Sequence, residues 1–213
     1  MKHEHFIEEL INRFPKLEDS KKTILEAFNL LTYCFKNKNK LLIAGNGGSC
    51  ADSEHIVGEL MKGFKKKRII SDQFANLLIS IDEKRGKLLS QTLQQGLPCI
   101  SLTNHQGLNT AFINDIDNGG EYIFAQQLNV LGNTSDVFLA ISTSGNSKNI
   151  INACVVAKAK NMKIIGLTGE NGGVLKDIAD VCIKAPSNET FIIQEYHQPI
   201  YHCLCLMLEE YFF

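Results

Sequence analysis

The chain has 213 residues, 44% of them hydrophobic, which suits one well-buried core rather than two independent ones. Its 22 Lys and Arg against 23 Asp and Glu leave a net charge of -1, so no global field gathers nucleic acid or anionic lipid. The longest apolar run, residues 203–208, falls far short of the roughly 20 residues a membrane span needs, and the acid-containing start is unlike a signal peptide, so a soluble cytoplasmic protein without nucleic-acid or membrane partners is expected.

Residues 1–38 read as two helices, with Phe6, Leu10, Ile11 and Phe14, then Ile24, Leu25, Phe28, Leu31 and Phe35 at helical spacing. Pro15 separates them, and Asp19 or Ser20 is placed to cap the second. Five short apolar runs follow, at 41–44, 98–102, 137–141, 163–167 and 181–185, several of them apolar on both faces as strands covered on both sides must be. Helix-like stretches at 49–63, 119–131, 146–161 and 174–179 alternate with them, and 190–213 closes the chain as a long helix with a kink expected at Pro199. This βαβ alternation predicts an α/β fold: a doubly wound, five-stranded parallel sheet flanked by helices, in one domain over 1–213. Residues 64–96 do not fit the repeat. They open with Lys65-Lys66-Lys67-Arg68 and read as an ordered helical insertion between the first and second strands.

Seven cysteines, an odd number and mostly in apolar runs, predict reduced buried thiols. Cys203 and Cys205 point about 200° apart on a helix, so they do not share a metal.

Two strand-to-helix turns carry chemistry. The first strand ends in Gly45-Asn46-Gly47-Gly48-Ser49, whose glycines let backbone N–H groups and a helix start approach an anion. A dinucleotide fingerprint fails there, because its third glycine falls on Cys50 and the second strand ends at Thr103 without the ribose-binding acid. The third strand ends in Ser142-Thr143-Ser144-Gly145-Asn146-Ser147, four hydroxyls in six residues, an uncharged cradle for a phosphate monoester. One hydroxyl of this loop is expected to cap the next helix. Ligands in open α/β sheets bind beyond the carboxyl ends of strands, so both loops face one small phosphorylated metabolite.

These residues, with Ile165-Gly-Leu-Thr-Gly169, Gly172-Gly173 and Ile193-Gln194-Glu195-x-His197, resemble the sugar isomerase (SIS) fold and, within it, the phosphoheptose isomerases. The resemblance runs nearly the whole chain, apart from 64–96. It implies an aldose–ketose isomerase that converts sedoheptulose 7-phosphate to glycero-manno-heptose 7-phosphate through an enediol, the first step of activated-heptose synthesis. It implies a homotetramer with sites between subunits, and a zinc ion held by His55, Glu59, Gln194 and His202. Four residues on a helix leave His55 and Glu59 about 40° apart, on one face, while the eight between Gln194 and His202 splay them by about 80°. Glu59 is implied as the carbon-proton base and His202 as its partner at the oxygens. Asn46, Gly47, Gly48, Ser49, Asp115, Ser142, Thr143, Ser144, Ser147 and Gln194 are implied to hold the substrate. An Arg common in the family two residues before Gln194 is Ile192 here, and the basic run at 65–68 is a candidate substitute. His105 reads as solvated, His197 as a packing residue, and His3 and His5 as terminal. The rivals are a non-catalytic SIS-fold binding protein, such as a replication-initiation regulator, and an isomerase of another sugar phosphate. An excess of apolar face on the terminal helices favours an oligomer.

Overall fold

Alternate side chains of each strand point to opposite faces of a sheet, and here both faces are apolar. Leu41, Ile43, Val137, Leu139 and Ile141 join one core cluster; Leu42, Ala44, Phe138 and Ala140 join another. The computed structural model describes residues 4–213, so His3 lies outside the described residues. The strands are β1 (Leu41–Ala44), β2 (Cys99–Ser101), β3 (Val137–Ile141), β4 (Lys163–Thr168) and β5 (Val181–Lys184), all parallel in the order β2-β1-β3-β4-β5. All five lie where the apolar runs predict them. At their entry edge the buried Asp136 carboxylate accepts from Lys40 Nζ at 2.6 Å and Lys40 N at 3.0 Å, tying the start of β1 to that of β3.

The helices are α1 (Glu4–Arg13), α2 (Lys21–Lys36), α3 (Gly48–Met61), α4 (Asp72–Ile81), α5 (Glu83–Thr92), α6 (Gln106–Asp115), α7 (Ile123–Leu131), α8 (Lys148–Ala159), α9 (Leu175–Ile178) and α10 (Thr190–Phe212). Apolar residues of α1, α2, α3 and α10 pack on one face of the sheet, and those of α7, α8 and α9 on the other. α10 runs on across Pro199, which lacks the N–H for the preceding turn. No helix among the described residues is long and apolar enough to cross a membrane.

Three expectations need correction. Neither Asp19 nor Ser20 caps α2 through its side chain; the Ser20 hydroxyl instead donates to the Lys184 carbonyl of β5 at 2.7 Å. The basic run is not a uniform free surface: Lys65 and Lys67 are exposed, but Arg68 is buried and Lys66 pairs with Glu210 at 2.8 Å. Most apolar side chains of the terminal helices are spent within the core, though Tyr33 and Phe191 stay exposed, and a denser group of uncovered apolar side chains stands on residues 64–96, folded as the α4–α5 hairpin: Phe74, Leu77, Ile81, Leu88, Leu89 and Leu93.

Candidate active site

The chain leaves β1 toward β2 on one side and later enters β3 on the other, so a crevice opens between the carboxyl ends of β1 and β3. A cavity of about 300 Å³ occupies it, lined by Asn46, Gly47, Gly48, Ser49, Ser142, Thr143 and Ser147 from the two turns and by Thr190 and Gln194 from α10. A methyl group on Gly48 would meet Gln194 Nε2 at 2.6 Å, so the glycine leaves room for the Gln194 amide over the first turn. Gly145 has φ of +67° and lies against the Gly172 carbonyl, a conformation and clearance no other residue combines. The Gly172-Gly173 turn thereby buttresses the serine loop, and Val174 N donates to Asn146 Oδ1 at 3.0 Å.

Ser142 and Ser147 share a hydroxyl hydrogen bond of 2.9 Å. Ser147 is the residue at the cap of α8 but makes no capping bond with its side chain, and the Ser144 hydroxyl accepts from Asn146 N, so no hydroxyl of the loop caps the helix as expected. Asn46 and Asn149 exchange two amide hydrogen bonds of 2.9 Å, bridging the two turns. The cavity offers hydroxyls, amides and helix starts without a basic side chain in its lining. Ser144 is exposed beside it. Asp115 stands at the exposed end of α6, accepting from Asn114, and is not among the lining residues.

Two turns further along α3 a second group assembles. His55 Nε2 lies 3.2 Å from Glu59 Oε1 and 3.4 Å from His202 Nε2. Behind them the Tyr201 hydroxyl meets His55 Nδ1 at 3.0 Å. Burial pushes the Asp52 carboxyl up to about 6, against the lowering pull of the Tyr201 hydroxyl and His55, and burial likewise raises the Tyr201 phenol. Burial, with His55 and Arg13 nearby, lowers the His202 pKa despite Glu59, so its imidazole is neutral at pH 7 and able to accept a proton. His202 also lines a groove of about 290 Å³ between α1 and α10 together with Glu9 and Arg13, two polar residues that periodicity places on α1 without marking them.

Zinc bonds of about 2.0–2.1 Å give tetrahedral edges of about 3.4 Å, close to both separations around His55 Nε2. Glu59 Oε2 is buried with no hydrogen-bond partner, and the Lys62 ammonium stands 3.5 Å away. His55 with Glu59 and His55 with His202 suit zinc in kind and in spacing when taken pair by pair. Yet among the described residues no group of three or more His, Cys, Asp and Glu is arranged to hold a metal ion, and Gln194 sits at Gly48 with the other cavity. Thiols add nothing: all seven cysteines are free, and burial lifts Cys34 and Cys154 to about 12. His197 is buried against the Thr168 carbonyl, away from this cluster.

Thr190, Tyr201, Asp52, Glu9 and Arg13 are site neighbours missed in the sequence; the only available signal for Thr190 is a hydroxyl at the start of a helix that also carries Gln194.

The SIS domain family matches residues 5–82 and 92–169, so most of the 64–96 segment lies inside it. The chain is 40% identical to the phosphoheptose isomerase of Aneurinibacillus thermoaerophilus over 179 residues, 84% of this chain and 76% of that protein. It is 36% identical to that of Nitratiruptor sp. over 213 residues, 98% of this chain and 99% of the other. Among solved structures, a phosphoheptose isomerase from Francisella tularensis superposes with a TM-score of 0.72 at 30% identity, covering 98% of this chain and 97% of that one. By these matches over nearly its whole length, the chain belongs to the SIS domain family and, within it, to the phosphoheptose isomerases.

Proposed function

We propose that this protein interconverts sedoheptulose 7-phosphate and glycero-manno-heptose 7-phosphate, with the phosphate in the β1–β3 crevice and the reacting carbons at Glu59 and His202. The observation that carries this reading is the spacing of the two groups along α3. From Gly48 to His55, whose imidazole touches the Glu59 carboxylate, is seven residues, about 10 Å of helix. An extended seven-carbon chain bridges that gap with its phosphate at one end and its carbonyl at the other.

Ser49, Ser142, Thr143, Ser144 and Ser147 hold the phosphate in this proposal, with the N–H groups of Gly47 and Gly48; Asn46 and Gln194 meet the sugar hydroxyls. Glu59 removes the proton from C1, and its buried Oε2, which accepts no hydrogen bond and faces only the Lys62 ammonium, is the oxygen available to take it. The C2 carbonyl gains a proton and the C1 hydroxyl loses one through His202, giving the enediol and then the aldose once Glu59 returns its proton to C2. His55, Glu59 and His202 would hold zinc, and Gln194 reaches the same ion only by leaving Gly48. When bound, zinc supplies polarisation of the carbonyl or anchorage for the hydroxyls.

A homotetramer in the cytoplasm is part of the proposal. The bare apolar hairpin supports association, and Asp115, absent from the lining of its own crevice, would be free to serve a site across a subunit boundary.

Purified protein given sedoheptulose 7-phosphate or fructose 6-phosphate is expected to form aldose only from the heptulose. Turnover of the hexulose alone would move the substrate to a shorter sugar, and no turnover with zinc supplied would point to a binding protein. Metal analysis is expected to find zinc in the wild type and not in His55→Ala; equal occupancy would remove His55 from the ligand set.

A further inference from the structure

The tail of α10 grips the end of α3 from inside the protein. Arg68 and Glu209 are each 2% exposed. Glu209 Oε1 accepts from Arg68 Nε at 2.9 Å and Phe64 N at 2.8 Å, while Oε2 accepts from Lys65 N at 2.8 Å and Lys66 N at 3.2 Å. The rest of the guanidinium turns to α3: Nη1 donates to the Leu60 carbonyl at 2.7 Å and Nη2 to the Glu59 carbonyl at 3.1 Å. The Phe213 ring covers it, 4.6 Å from Cζ.

A helix ends with four carbonyls that have no intrahelical donor. α3 ends in Lys62 with extended backbone rather than in a left-handed glycine cap, so its carbonyls are served from outside, by Arg68 and, at Leu60, by Leu97 N. Burial alone would raise the Glu209 carboxyl, but the backbone N–H groups and Arg68 more than offset it and hold the group below its usual range. Stability by itself is a weak reason for such a pair, because apolar residues of similar volume usually serve as well. Geometry is a stronger one. Only a guanidinium fork addresses a carboxylate and two carbonyls at once, and those carbonyls belong to Glu59 and the residue after it.

We propose that Arg68 and Glu209 are positioning residues for the isomerisation. They fix the last turn of α3, and with it the Glu59 carboxylate, against α10, which carries His202 two turns before Glu209. The proposal rests on the reading of Glu59 as the carbon-proton base.

Arg68→Lys keeps the charge and loses the fork. It is expected to fold, with kcat on sedoheptulose 7-phosphate reduced about ten- to hundredfold, as displacement of a reacting group by an ångström does. KM is expected to stay within about twofold, because the phosphate turns lie at the other end of α3. Glu209→Gln is expected to shift both constants in the same directions. A folded Arg68→Lys with wild-type kcat overturns the proposal, as does a KM that rises in step with the loss of kcat. If Glu209→Gln does not fold, Arg68→Lys carries the test; if neither folds, the pair is a fold determinant and the proposal falls. Glu59→Gln assayed alongside separates the two readings. Turnover retained in Glu59→Gln refutes the base assignment whatever Arg68→Lys does, whereas an inactive Glu59→Gln beside a fully active Arg68→Lys refutes only the positioning role.

Discussion

The two ends of α3 are built of different materials. At Gly48 the cavity is made of backbone, hydroxyls and amides, with Ser49 and Ser142 buried and no basic side chain in the lining. At Glu59 the groups are titratable: His55, Glu59 and His202 in contact, Tyr201 behind them, and a buried ion pair under the last turn. An anion is held well by dipoles that never change protonation, whereas moving protons between carbons needs groups that do. Burial therefore serves opposite purposes at the two ends: it fixes dipoles at one and tunes acidities at the other.

If the division is real, substitutions at the two ends separate kcat from KM. The largest effect is expected at Glu59→Gln, which keeps shape and hydrogen bonding but no longer accepts the proton: kcat falls by about a thousandfold or more while KM stays near the wild-type value. Loss of solvent exchange at the carbon-bound proton checks it directly. Ser142→Ala is expected to do the reverse. Removing a hydroxyl bonded to a charged phosphate costs about 1.5–3 kcal/mol, a tenfold or larger rise in KM, with kcat nearly kept. Steady-state constants for both variants break the comparison if each variant moves both constants alike.

The binding end is also the end that local sequence reveals. Glycines and hydroxyls at a strand-to-helix turn act through their own backbone, so their spacing in the chain is their spacing in space; the loops after β1 and β3 meet because the strand order makes β1 and β3 neighbours. Strands were readable for a related reason, since burial on both faces leaves an unbroken apolar run such as Val137–Ile141. The chemical end depends on pairings across the chain. Arg68 meets Glu209 over a separation of 141 residues, and a run of four basic residues ordinarily signals a solvated face, so the burial of this one member left no local trace. Ser20 shows the same limit on a smaller scale, giving its hydroxyl to β5 rather than to the adjacent helix.

Tyr201 offers a finer cut between the ends. Its hydroxyl contacts His55 Nδ1, so it sets which ring nitrogen carries the proton and where Nε2 points, toward Glu59 and His202. Tyr201→Phe keeps the packing and removes the hydroxyl from both His55 and Asp52. An expected loss of about tenfold in kcat, at constant KM, matches the cost of removing an outer partner of a working histidine. Unchanged kcat would make the hydroxyl a packing detail and confine the chemical end to its three contacting side chains.

His197 lies on α10 between Gln194 and His202 and belongs to neither end, so it shows what a purely structural titration does. Its Nε2 meets the Thr168 carbonyl of β4 at 3.3 Å, its Nδ1 has no partner, and burial lowers its pKa from 6.5 to about 4 despite that carbonyl. The unfolded chain therefore takes up this proton below pH 6.5, and the folded chain does so only near pH 4. Stability from this group is complete above pH 6.5 and declines as the pH falls through 4, by about 3 kcal/mol in all. His197→Gln retains a donor for Thr168 and does not titrate. At pH 7 it is expected to cost about 1 kcal/mol or less, with kcat and KM both nearly unchanged. Between pH 6.5 and 4 its melting temperature should fall less steeply than that of the wild type, since every other titrating group is common to both. Parallel melting curves would mean that the imidazole takes up its proton in the fold at the same pH as in the unfolded chain. A KM or kcat change at pH 7 would show that the middle of α10 transmits strain to one end of α3, and the direction of the change would name which end.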